Sequence, residues 1–344
     1  MLTETIDDIL GHYFTQTTWS VFFGPSGYNN TTRYVNVGMN TYLLRVYETH
    51  NDEAKVKFEH EVLSKLNKFA KPYFQIPVPL FTLNGETTYV RTKDTNKIAC
   101  VYTFIEGKNP LLQNESLLIS YGQQVGHLVG LLKDTLIEQP CSYKPYYEIG
   151  EAYKHYSIDS VINWCTDPPS TFITIEDELK WIAEQFLNLQ HSLSQLKSLP
   201  HQLIHGDINA SNSLAESNRI TAFLDFEFAT YDLRAMEPAV CLAELFVDVK
   251  GIDMEKAKAF ISGFSSVVTL SNAEIEAIPL LIQLRRLDVF VHFLNQYCEG
   301  VNNESILYEQ IVKTASIKQT SDEDRNLISF WKNAQINETL GKNS

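Results

Sequence analysis

The stretch LIHGDINASN, residues 203–212, places His205, Gly206 and Asp207 directly after an apolar pair, and Asn212 follows five residues after the Asp. His, Asp and Asn beside a Gly are poor core formers. The stretch is therefore either a turn at the end of a strand or a functional site. A second stretch downstream bears on this choice, because it supplies another acid in a similar setting.

That downstream stretch, RITAFLDFEFATYDL, contains an apolar strand pattern that ends at Asp225. Two strand ends joined by a short reversal would bring Asp207 and Asp225 to one edge. One carboxylate can accept a proton from a hydroxyl, and the other offers, with the amide oxygen of Asn212, hard oxygen ligands suited to Mg²⁺. Phosphoryl transfer needs a positioned nucleophile, a metal on the phosphates and in-line geometry. Together the two stretches indicate phosphoryl transfer.

The composition is that of a globular protein with enough apolar material for a sizeable core: 344 residues, 44% hydrophobic and 20% charged. At about 100–200 residues per domain, this length predicts two domains or lobes. The formal net charge of −14 would repel phosphate backbones, so no nucleic-acid partner is expected. An acidic surface of this kind favours solubility.

Cysteine usage and hydropathy bear on the compartment. The five cysteines are scattered and form no Cys-x-x-Cys pair: Cys100, Cys141, Cys165, Cys241 and Cys298. This pattern is typical of reduced thiols in a cytosolic protein and not of a disulfide framework or a zinc site. The N-terminal MLTETIDDIL is acidic where a signal peptide would be basic, and no apolar run reaches about 18 residues. We therefore expect a soluble cytoplasmic protein with no membrane partner.

Hydrophobic periodicity divides the chain into a strand-rich first part and a helical second part. The strand patterns are WSVFFG, TTRYVNVG, NTYLLRVYE and KIACVYTFIEG, with a hairpin expected around Asn84-Gly85. One helix is expected between them, in DEAKVKFEHEVLSKLNKFA. Helices then follow in NESLLISYGQQVGHLVGLLKD, IEDELKWIAEQFLNLQHSLSQL, EPAVCLAELFVD, MEKAKAFISGF, NAEIEAIPLLIQLRRLDVFVHFLNQY and DEDRNLISFWKNAQ. The Tyr-rich tract 141–170 is expected to be loop-rich.

HGDINASN, residues 205–212, resembles the His-Gly-Asp-x-x-x-x-Asn loop of the aminoglycoside phosphotransferase and choline kinase superfamily. LDFEFA, residues 224–229, stands where the Asp-Phe-Gly metal motif of kinases belongs. The resemblance implies an α+β, two-lobed protein-kinase-like fold. A nucleotide-binding lobe, residues 1–104, would contain an antiparallel sheet with one helix, and a larger helical lobe, residues 105–344, would carry the catalytic loop and the acceptor site. ATP and Mg²⁺ are the implied cofactors, and a small-molecule alcohol is the implied substrate.

The resemblance assigns chemistry to this loop and to the metal motif residue by residue. Asp207 would orient and deprotonate the acceptor hydroxyl. His205, the other catalytic candidate, would brace the loop by hydrogen bonds rather than perform acid–base work. Asn212 and Asp225 would hold Mg²⁺. Glu227, in place of the usual Gly, is either a further metal or water ligand or an exposed charge at a strand end.

The resemblance places the nucleotide site in the first lobe. PSGYNNTTRYVNVG, residues 25–38, looks like the family's nucleotide-covering hairpin, and its Gly27 and Asn30 would bind the nucleotide. Arg45 stands where the family normally has a Lys that holds the phosphates. The alternative is that Arg45 is a surface residue of a strand.

Two further parts of the nucleotide site follow from the same resemblance. The ion-pair partner of the phosphate-binding cation would be Glu59 on the following helix, with Glu61 as the competing choice. A solvated helix charge is the alternative for either residue. The adenine-contacting hinge would lie at Thr103, Phe104 and Ile105, where the contacts are made by the backbone.

The run LDFEFATYDLRAMEPAVCLAELF looks most like the type II homoserine kinase branch of the superfamily. The carboxylate of homoserine would need a cation in the helical lobe. The candidate substrate residues are Glu227, Asp232, Arg234, Arg285 and Arg286. The alternative for Arg285 and Arg286 is an ion pair with a neighbouring acid such as Asp288.

Two other functions stay open at this point. One is an aminoglycoside or choline-type kinase, which the acidic net charge permits. The other is a non-catalytic binding or structural protein on a kinase scaffold, which the unusual Arg45 and Glu227 would favour. The presence of Asp207, Asn212 and Asp225 together opposes this last function.

Overall fold

The structure, a computed structural model, describes residues 3–16, 18–24, 30–48, 50–93, 95–141, 143–152, 157–248, 251–317 and 321–341. Its strands are β1 Ser20–Phe23, β2 Asn30–Val37, β3 Asn40–Tyr47, β4 Tyr89–Arg91, β5 Ile98–Thr103, β6 His201–Ile204, β7 Ser213–Glu216, β8 Arg219–Phe223, β9 Thr230–Leu233, β10 Val247–Asp248 and β11 Gly251–Ile252. Its α-helices are α1 Thr3–Gly11, α2 Glu53–Ala70, α3 Glu115–Lys133, α4 Ile149–Ala152, α5 Ile158–Thr166, α6 Glu176–Leu196, α7 Met236–Leu245, α8 Met254–Ser265, α9 Asn272–Cys298, α10 Glu304–Ala315 and α11 Ser321–Gly341.

The chain divides into two compact units that are not continuous in sequence. The first unit comprises Met1–Lys108, Thr135–Ser142 and Ala222–Glu227, and the second comprises Asn109–Asp134, Tyr143–Thr221 and Phe228–Ser344. A single boundary after residue 104 therefore differs from the structure. The segment that begins at Ala222 joins the first unit because Ala222 forms a parallel bridge with Gln75, and the Phe223 N–H donates to the Gln75 carbonyl at 3.1 Å.

The first unit is built on a five-stranded antiparallel sheet in the order β1-β2-β3-β5-β4. Successive side chains of a strand point to opposite faces. Leu44 and Val46 of β3 therefore pack with α1, in a core that α1 supplies with Ile6, Ile9 and Leu10. This helix was not expected from the sequence, which predicted one helix in this part of the chain.

The opposite face of β3 carries Arg45 and faces α2. This helix begins after Asp52, whose carboxylate accepts the Ala54 N–H, and it ends at Ala70, before the Pro-rich segment. Apolar residues at helical spacing in α2 are buried: Val56, Leu63, Leu66 and Ala70. Glu59 is buried on the same helix, which is unusual for a carboxylate and requires a partner.

The second unit is mainly helical. Asn114 caps α3, since its side chain accepts the Ser116 N–H. α3 and α8 approach so closely that a Cβ on Gly122 would lie 2.0 Å from the Phe260 carbonyl oxygen, and only glycine permits this contact. Within the described ranges, no helix is long and apolar enough to span a membrane.

Three local expectations need correction. The turn at Asn84-Gly85 forms, with φ +74° at Gly85, but it does not join two strands. The Thr82 N–H donates to the Thr87 carbonyl at 2.8 Å beside the turn, but farther along both arms bond to β5: Leu80 donates to Val101, and β4 pairs with β5. The tract 141–170 is not mainly loop, because it contains α4 and α5. The sequence patterns also missed α10.

Candidate active site

The loop that follows β6 carries the first predicted site residues. Gly206 has φ +79°, and a Cβ there would lie 3.1 Å from the Phe228 carbonyl oxygen, so glycine is the residue that fits. The backbone N–H groups of His205 and Gly206 donate to the Glu237 carboxylate at 2.5 and 3.2 Å. Because Glu237 lies in the first turn of α7, this helix fixes the start of the loop.

His205 lies at the beginning of the loop and is fully buried. Its Nδ1 accepts the Asp207 N–H at 3.2 Å. A neutral imidazole that accepts at Nδ1 carries its proton at Nε2. With no exposed surface and with a backbone hydrogen bond at Nδ1, the ring holds the loop conformation, in keeping with the bracing role and not with acid–base work.

The Asp207 carboxylate is held at both oxygens. Oδ1 accepts from Arg285 Nη2 at 2.5 Å, and Oδ2 accepts from Asn212 Nδ2 at 3.0 Å. The side chain is nevertheless 18% exposed, whereas His205 is completely enclosed. Charge-assisted hydrogen bonds of this kind fix orientation strongly. Asp207 is therefore an oriented carboxylate that a small molecule can reach.

Arg285, from α9, makes three contacts around Asp207. Its Nη1 donates to the Tyr146 hydroxyl at 2.6 Å, and its Nε donates to Glu244 at 3.0 Å. The Tyr146 hydroxyl in turn donates to the Gly206 carbonyl at 2.6 Å. All three nitrogens that can donate are thus engaged, and the side chain is only 11% exposed. The structure thus favours the alternative in which Arg285 forms an ion pair, here with Asp207 and Glu244.

Asn212, at the end of the loop, presents its amide in a defined orientation. Its Nδ2 donates to the Asp207 carbonyl and carboxylate at 2.9 and 3.0 Å. Both of these partners can only accept, so the nitrogen must face them and the amide oxygen must point elsewhere. That oxygen accepts no hydrogen bond from the residues described here. It is therefore a hard oxygen donor of the kind that Mg²⁺ prefers.

The other candidate substrate residues of the second unit have structural roles. Asp232 is fully buried and accepts the N–H groups of Tyr146 and Leu233, each at 2.6 Å. Arg234 forms a two-pronged ion pair with Glu274, at 2.8 and 2.6 Å. None of these contacts leaves Asp232 or Arg234 in a position to bind a substrate, and that expectation is corrected.

Arg286 is also unsuited to substrate binding, because only 1% of its side chain is exposed. It pairs with Glu244 at 3.3 Å, and Glu244 also pairs with Arg285. Burial alone would raise the pKa of Glu244, but the two guanidinium groups overcome this effect and lower the pKa to about 2. For Arg285, Asp288 adds a favourable electrostatic contribution to the charged form, yet Asp207 and Glu244 are its close ion-pair partners.

Arg45 and Glu59 meet in the first unit. Arg45 Nη1 lies 3.1 Å from Glu59 Oε1, and the two residues are 8% and 2% exposed. The alternatives of a surface strand Arg and a solvated helix charge are therefore wrong. Glu61 is not the partner, since it pairs with Lys65 at 2.6 Å and accepts backbone N–H groups of the segment after α3.

Asp225 follows β8 and also contacts Arg45. Its Oδ1 lies 3.2 Å from Arg45 Nη1, and about a third of its side chain is exposed. The backbone has φ +62°, a left-handed conformation that costs a non-glycine residue about 1 kcal/mol or more and is concentrated at functional sites. Asp225 belongs to the first unit and Asp207 to the second, so their joint action stays a prediction.

Glu227 is buried and not an exposed strand-end charge. It is 5% exposed; its Oε2 accepts from Asn30 Nδ2 at 2.8 Å, and its Oε1 lies 3.5 Å from His50. Burial would raise the pKa of Glu227, but these contacts and the Arg45 charge lower it. Asn30 therefore ties the start of β2 to the metal-motif segment. Gly27, the other hairpin candidate, lies outside the described residues.

The predicted hinge, Thr103 to Ile105, begins at the last residue of β5. Its three residues differ in whether the backbone N–H already donates a hydrogen bond. The Thr103 N–H donates to the Val78 carbonyl at 2.9 Å, so it is not available to a nucleotide base. Neither Phe104 nor Ile105 donates a backbone hydrogen bond within the described ranges. The Phe104 ring is 38% exposed and packs edge-on against Tyr34. Of the three hinge residues, only Phe104 and Ile105 thus have a backbone N–H group available to a nucleotide base.

Comparison with known proteins adds a finding that covers both units. A family model described as phosphotransferase enzyme family matches residues 23–263. The match includes Arg45, Asp207, Asn212 and Asp225. The chain belongs to the phosphotransferase enzyme family. It is therefore a small-molecule kinase that transfers phosphate to a hydroxyl group.

Individual relatives of this phosphotransferase are distant. Homoserine kinase from Gluconobacter oxydans (strain 621H) is 23% identical over 290 residues, which cover 82% of this chain and 84% of that protein. Amicoumacin kinase hAmiN has a similar structure, with a TM-score of 0.62 and 16% identity, over 95% of this chain and 90% of that one. A microcompartment-associated aminopropanol kinase gives a TM-score of 0.61 and 14% identity over 97% and 95% of the two chains. These likenesses confirm the predicted kinase-like α+β fold.

Three residues of this phosphotransferase site were missed by sequence reasoning. Tyr146 stands in the tract that was expected to be loop-rich, and Glu237 and Glu244 stand in EPAVCLAELFVD, which was predicted only as a helix. The sequence marks these residues only weakly, because each contacts its partner only in the folded chain. Glu237, for example, binds the loop 31 and 32 residues away.

Proposed function

We propose that this phosphotransferase transfers the γ-phosphate of ATP to the hydroxyl of a small amino alcohol, with homoserine as the first candidate. The observation that carries the proposal is the Asp207 carboxylate, fixed by Arg285 and Asn212 and still partly exposed. An ionised carboxylate has about four lone-pair sites, so an acceptor hydroxyl can still donate to it. A fixed, reachable carboxylate is what an enzyme needs to orient an attacking oxygen.

In the proposed reaction the acceptor hydroxyl donates its hydrogen bond to Asp207. Its oxygen attacks the γ-phosphorus, the bond to the β-phosphate oxygen breaks, and ADP leaves with that electron pair. The hydroxyl proton passes to Asp207 as the new bond forms. Asn212 and Arg285 keep the carboxylate in one orientation through this change.

The first unit would bind the nucleotide. Arg45 uses Nη1 for both carboxylate partners, and its Nε and Nη2 make no hydrogen bond to the part of the chain described here. Those two groups can donate to phosphate oxygens in a forked arrangement. The backbone N–H groups of Phe104 and Ile105 would donate to the nucleotide base.

Each unit offers an oxygen of the kind that Mg²⁺ prefers. Asn212 offers an uncommitted amide oxygen, and Asp225 offers a carboxylate that is about a third exposed and pairs with Arg45. Few protein ligands are expected, since Mg²⁺ usually takes one or two carboxylates and completes its shell with phosphates and water. Bound Mg²⁺ would neutralise charge on the transferring phosphate.

The identity of the acceptor is open between two candidates. The curated relatives named homoserine kinase favour homoserine. The engagement of Arg234, Arg285 and Arg286 in ion pairs favours an amino alcohol without a carboxylate, because the expected cations for a carboxylate are already occupied. An aminoglycoside is a larger third possibility.

A panel of acceptors tests the proposal. ADP release from Mg·ATP would be measured with L-homoserine, 1-amino-2-propanol, ethanolamine and spectinomycin, and ³¹P NMR would locate the phosphate on the product. We expect one of the two smaller classes to raise ADP release at least about 100-fold above the rate without acceptor. If ATP binds and none of the four acceptors accelerates ADP release, the proposed acceptor class is wrong.

A further inference from the structure

Behind Arg45 a line of buried polar side chains runs across the interior of the first unit. The Tyr47 hydroxyl donates to Glu59 Oε2 at 2.6 Å and lies 2.9 Å from the Tyr102 hydroxyl. His60 Nε2 lies 2.9 Å from the same Tyr102 hydroxyl, and His60 Nδ1 lies 2.5 Å from Thr88 Oγ1. Tyr47, Tyr102 and His60 are 0%, 1% and 4% exposed. The phosphotransfer chemistry described above assigns them no role.

Hydrogen-bond accounting gives this line a direction. Glu59, as the ionised partner of Arg45, can only accept hydrogen bonds. The Tyr47 hydroxyl has one hydrogen to donate, and it donates it to Glu59. Tyr102 then donates to Tyr47 at 2.9 Å or to Glu59 Oε1 at 3.4 Å, and in both cases His60 donates to Tyr102 through Nε2. His60 Nδ1 is left to accept from Thr88. Every donor therefore points toward Glu59, and such aligned chains strengthen one another.

The state of His60 agrees with this direction. Burial, followed by the Arg45 charge, lowers the pKa of His60 to about 3, so the ring is neutral and can accept at one nitrogen. Burial raises the pKa of Glu59 to about 7, and the Arg45 charge and the Tyr47 hydrogen bond oppose that rise. The hydrogen bonds directed at Glu59 thus stabilise its ionised form and oppose the rise in its pKa that burial causes.

The same two tyrosines also contact Arg45 directly. Its guanidinium carbon lies 5.3 Å from the centre of the Tyr102 ring and 5.9 Å from that of Tyr47. A planar guanidinium stacks on aromatic faces more readily than an ammonium does. The tyrosines therefore suit the Arg that stands here in place of Lys.

We propose that Tyr47, Tyr102 and His60 are positioning residues that hold the Glu59 carboxylate and, through it, aim Arg45 at the nucleotide phosphates. This inference rests on the proposed function in one respect, namely that Arg45 binds the phosphates of a nucleotide. The three residues touch neither substrate nor metal in this account. Their effect on binding must therefore depend on Glu59 and on the phosphates of the ligand.

Binding of ATP and of adenosine to the full-length protein, measured by calorimetry, tests the inference. Tyr102→Phe and Tyr47→Phe each remove one hydroxyl and keep the ring. We expect ATP affinity to fall about 10-fold in each variant, the usual effect of a charge-assisted hydrogen bond, with adenosine affinity unchanged. His60→Gln, whose amide can still donate to Tyr102, should retain more ATP affinity than His60→Leu.

Two controls separate positioning from general packing. Tyr13→Phe removes another buried hydroxyl of the first unit, one that donates to the Thr88 carbonyl, and should leave ATP affinity unchanged. In a Glu59→Gln background, Tyr47→Phe should have less than a 2-fold further effect on ATP affinity, because the carboxylate it serves is gone.

The outcomes are distinguishable. If the wild type binds ATP and the Tyr102→Phe and Tyr47→Phe variants bind it equally well, or lose adenosine affinity to the same extent, the inference is overturned and the proposed function stands. If the wild type binds no ATP, the proposed function fails and the inference fails with it.

Discussion

Arg285 lies between the proposed catalytic carboxylate and the helix that carries Glu244, and its guanidinium has a planar fork that reaches both acids. Lysine could not make these contacts together with the one to Tyr146. The residue is therefore a positioning residue for Asp207 in the proposed reaction. The alternative, a ligand for the carboxylate of the acceptor, predicts a different kinetic signature.

Arg285→Gln separates the two roles. If Arg285 orients Asp207, the kcat should fall about 10- to 100-fold for every acceptor that the enzyme uses, because the carboxylate loses a charge-assisted hydrogen bond. The acceptor KM and the nucleotide affinity should change little. Steady-state kinetics with L-homoserine and with 1-amino-2-propanol measure this.

The control for that experiment is Arg91→Gln, which breaks an Arg–carboxylate pair with Glu53 in the first unit and should leave kcat unchanged. A rise in KM confined to acceptors that bear a carboxylate would contradict the positioning role. It would assign Arg285 to substrate recognition instead.

At the scale of elements, α7 fixes the catalytic loop through Glu237 and carries a pH dependence. Burial raises the pKa of the Glu237 carboxyl to about 7, against the opposing backbone hydrogen bonds from His205 and Gly206. The folded protein thus keeps this proton up to about pH 7, whereas the unfolded chain releases it near the ordinary value of 4.5. Since the unfolded state binds fewer protons in this window, the free energy of unfolding falls as pH rises from about 5 to about 7.

Glu237→Gln should therefore flatten the pH dependence of stability. The measurement is urea unfolding at pH 5, 6, 7 and 8. Between pH 5 and pH 8 the unfolding free energy of the variant should decrease by at least about 1 kcal/mol less than that of the wild type, since one pKa unit corresponds to about 1.4 kcal/mol. Glu244→Gln, a control on the same helix, should change stability by a constant amount over this range, because the Glu244 pKa is already lowered to about 2. A Glu237→Gln profile parallel to that of the wild type would contradict the account.

The sequence predicted those helices and strands in which the hydrophobic pattern continues over many residues. The 18-residue α2 and the 21-residue α6 show a sustained apolar face, and β5 is a run of buried residues. The nine-residue α1 was missed because its apolar Ile6, Ile9 and Leu10 make a single short face among acids. The hairpin prediction was incomplete because local turn chemistry at Gly85 does not reveal that, beyond Thr82 and Thr87, both arms bond to β5.

At the scale of the whole molecule, the sequence pointed to candidate site residues but not to the contacts that hold them. The catalytic loop and the metal motif were recognisable because their spacing is local. The contacts that fix them join residues far apart, such as Arg285 and Asp207, which are separated by 78 positions. No pattern in one sequence encodes such a pair without the fold, so Asp207 was not identified as a partner of Arg285 and Tyr146 was overlooked. The two units are discontinuous in sequence for the same reason, because the contact of Ala222 with Gln75 joins residues that are far apart in the chain.

The central claim is that Asp207 orients and deprotonates the acceptor hydroxyl, and the Asp207→Asn variant tests it most directly. The measurement is the rate of phosphorylated product formation at saturating Mg·ATP, with the acceptor identified in the panel, together with the nucleotide affinity. The account predicts that the rate falls about 10²–10⁴-fold, the contribution of a positioned base, while nucleotide affinity stays within a few-fold of the wild type. A variant that forms product within a few-fold of the wild-type rate would contradict it, and the loop after β6 would then be a turn without a catalytic carboxylate.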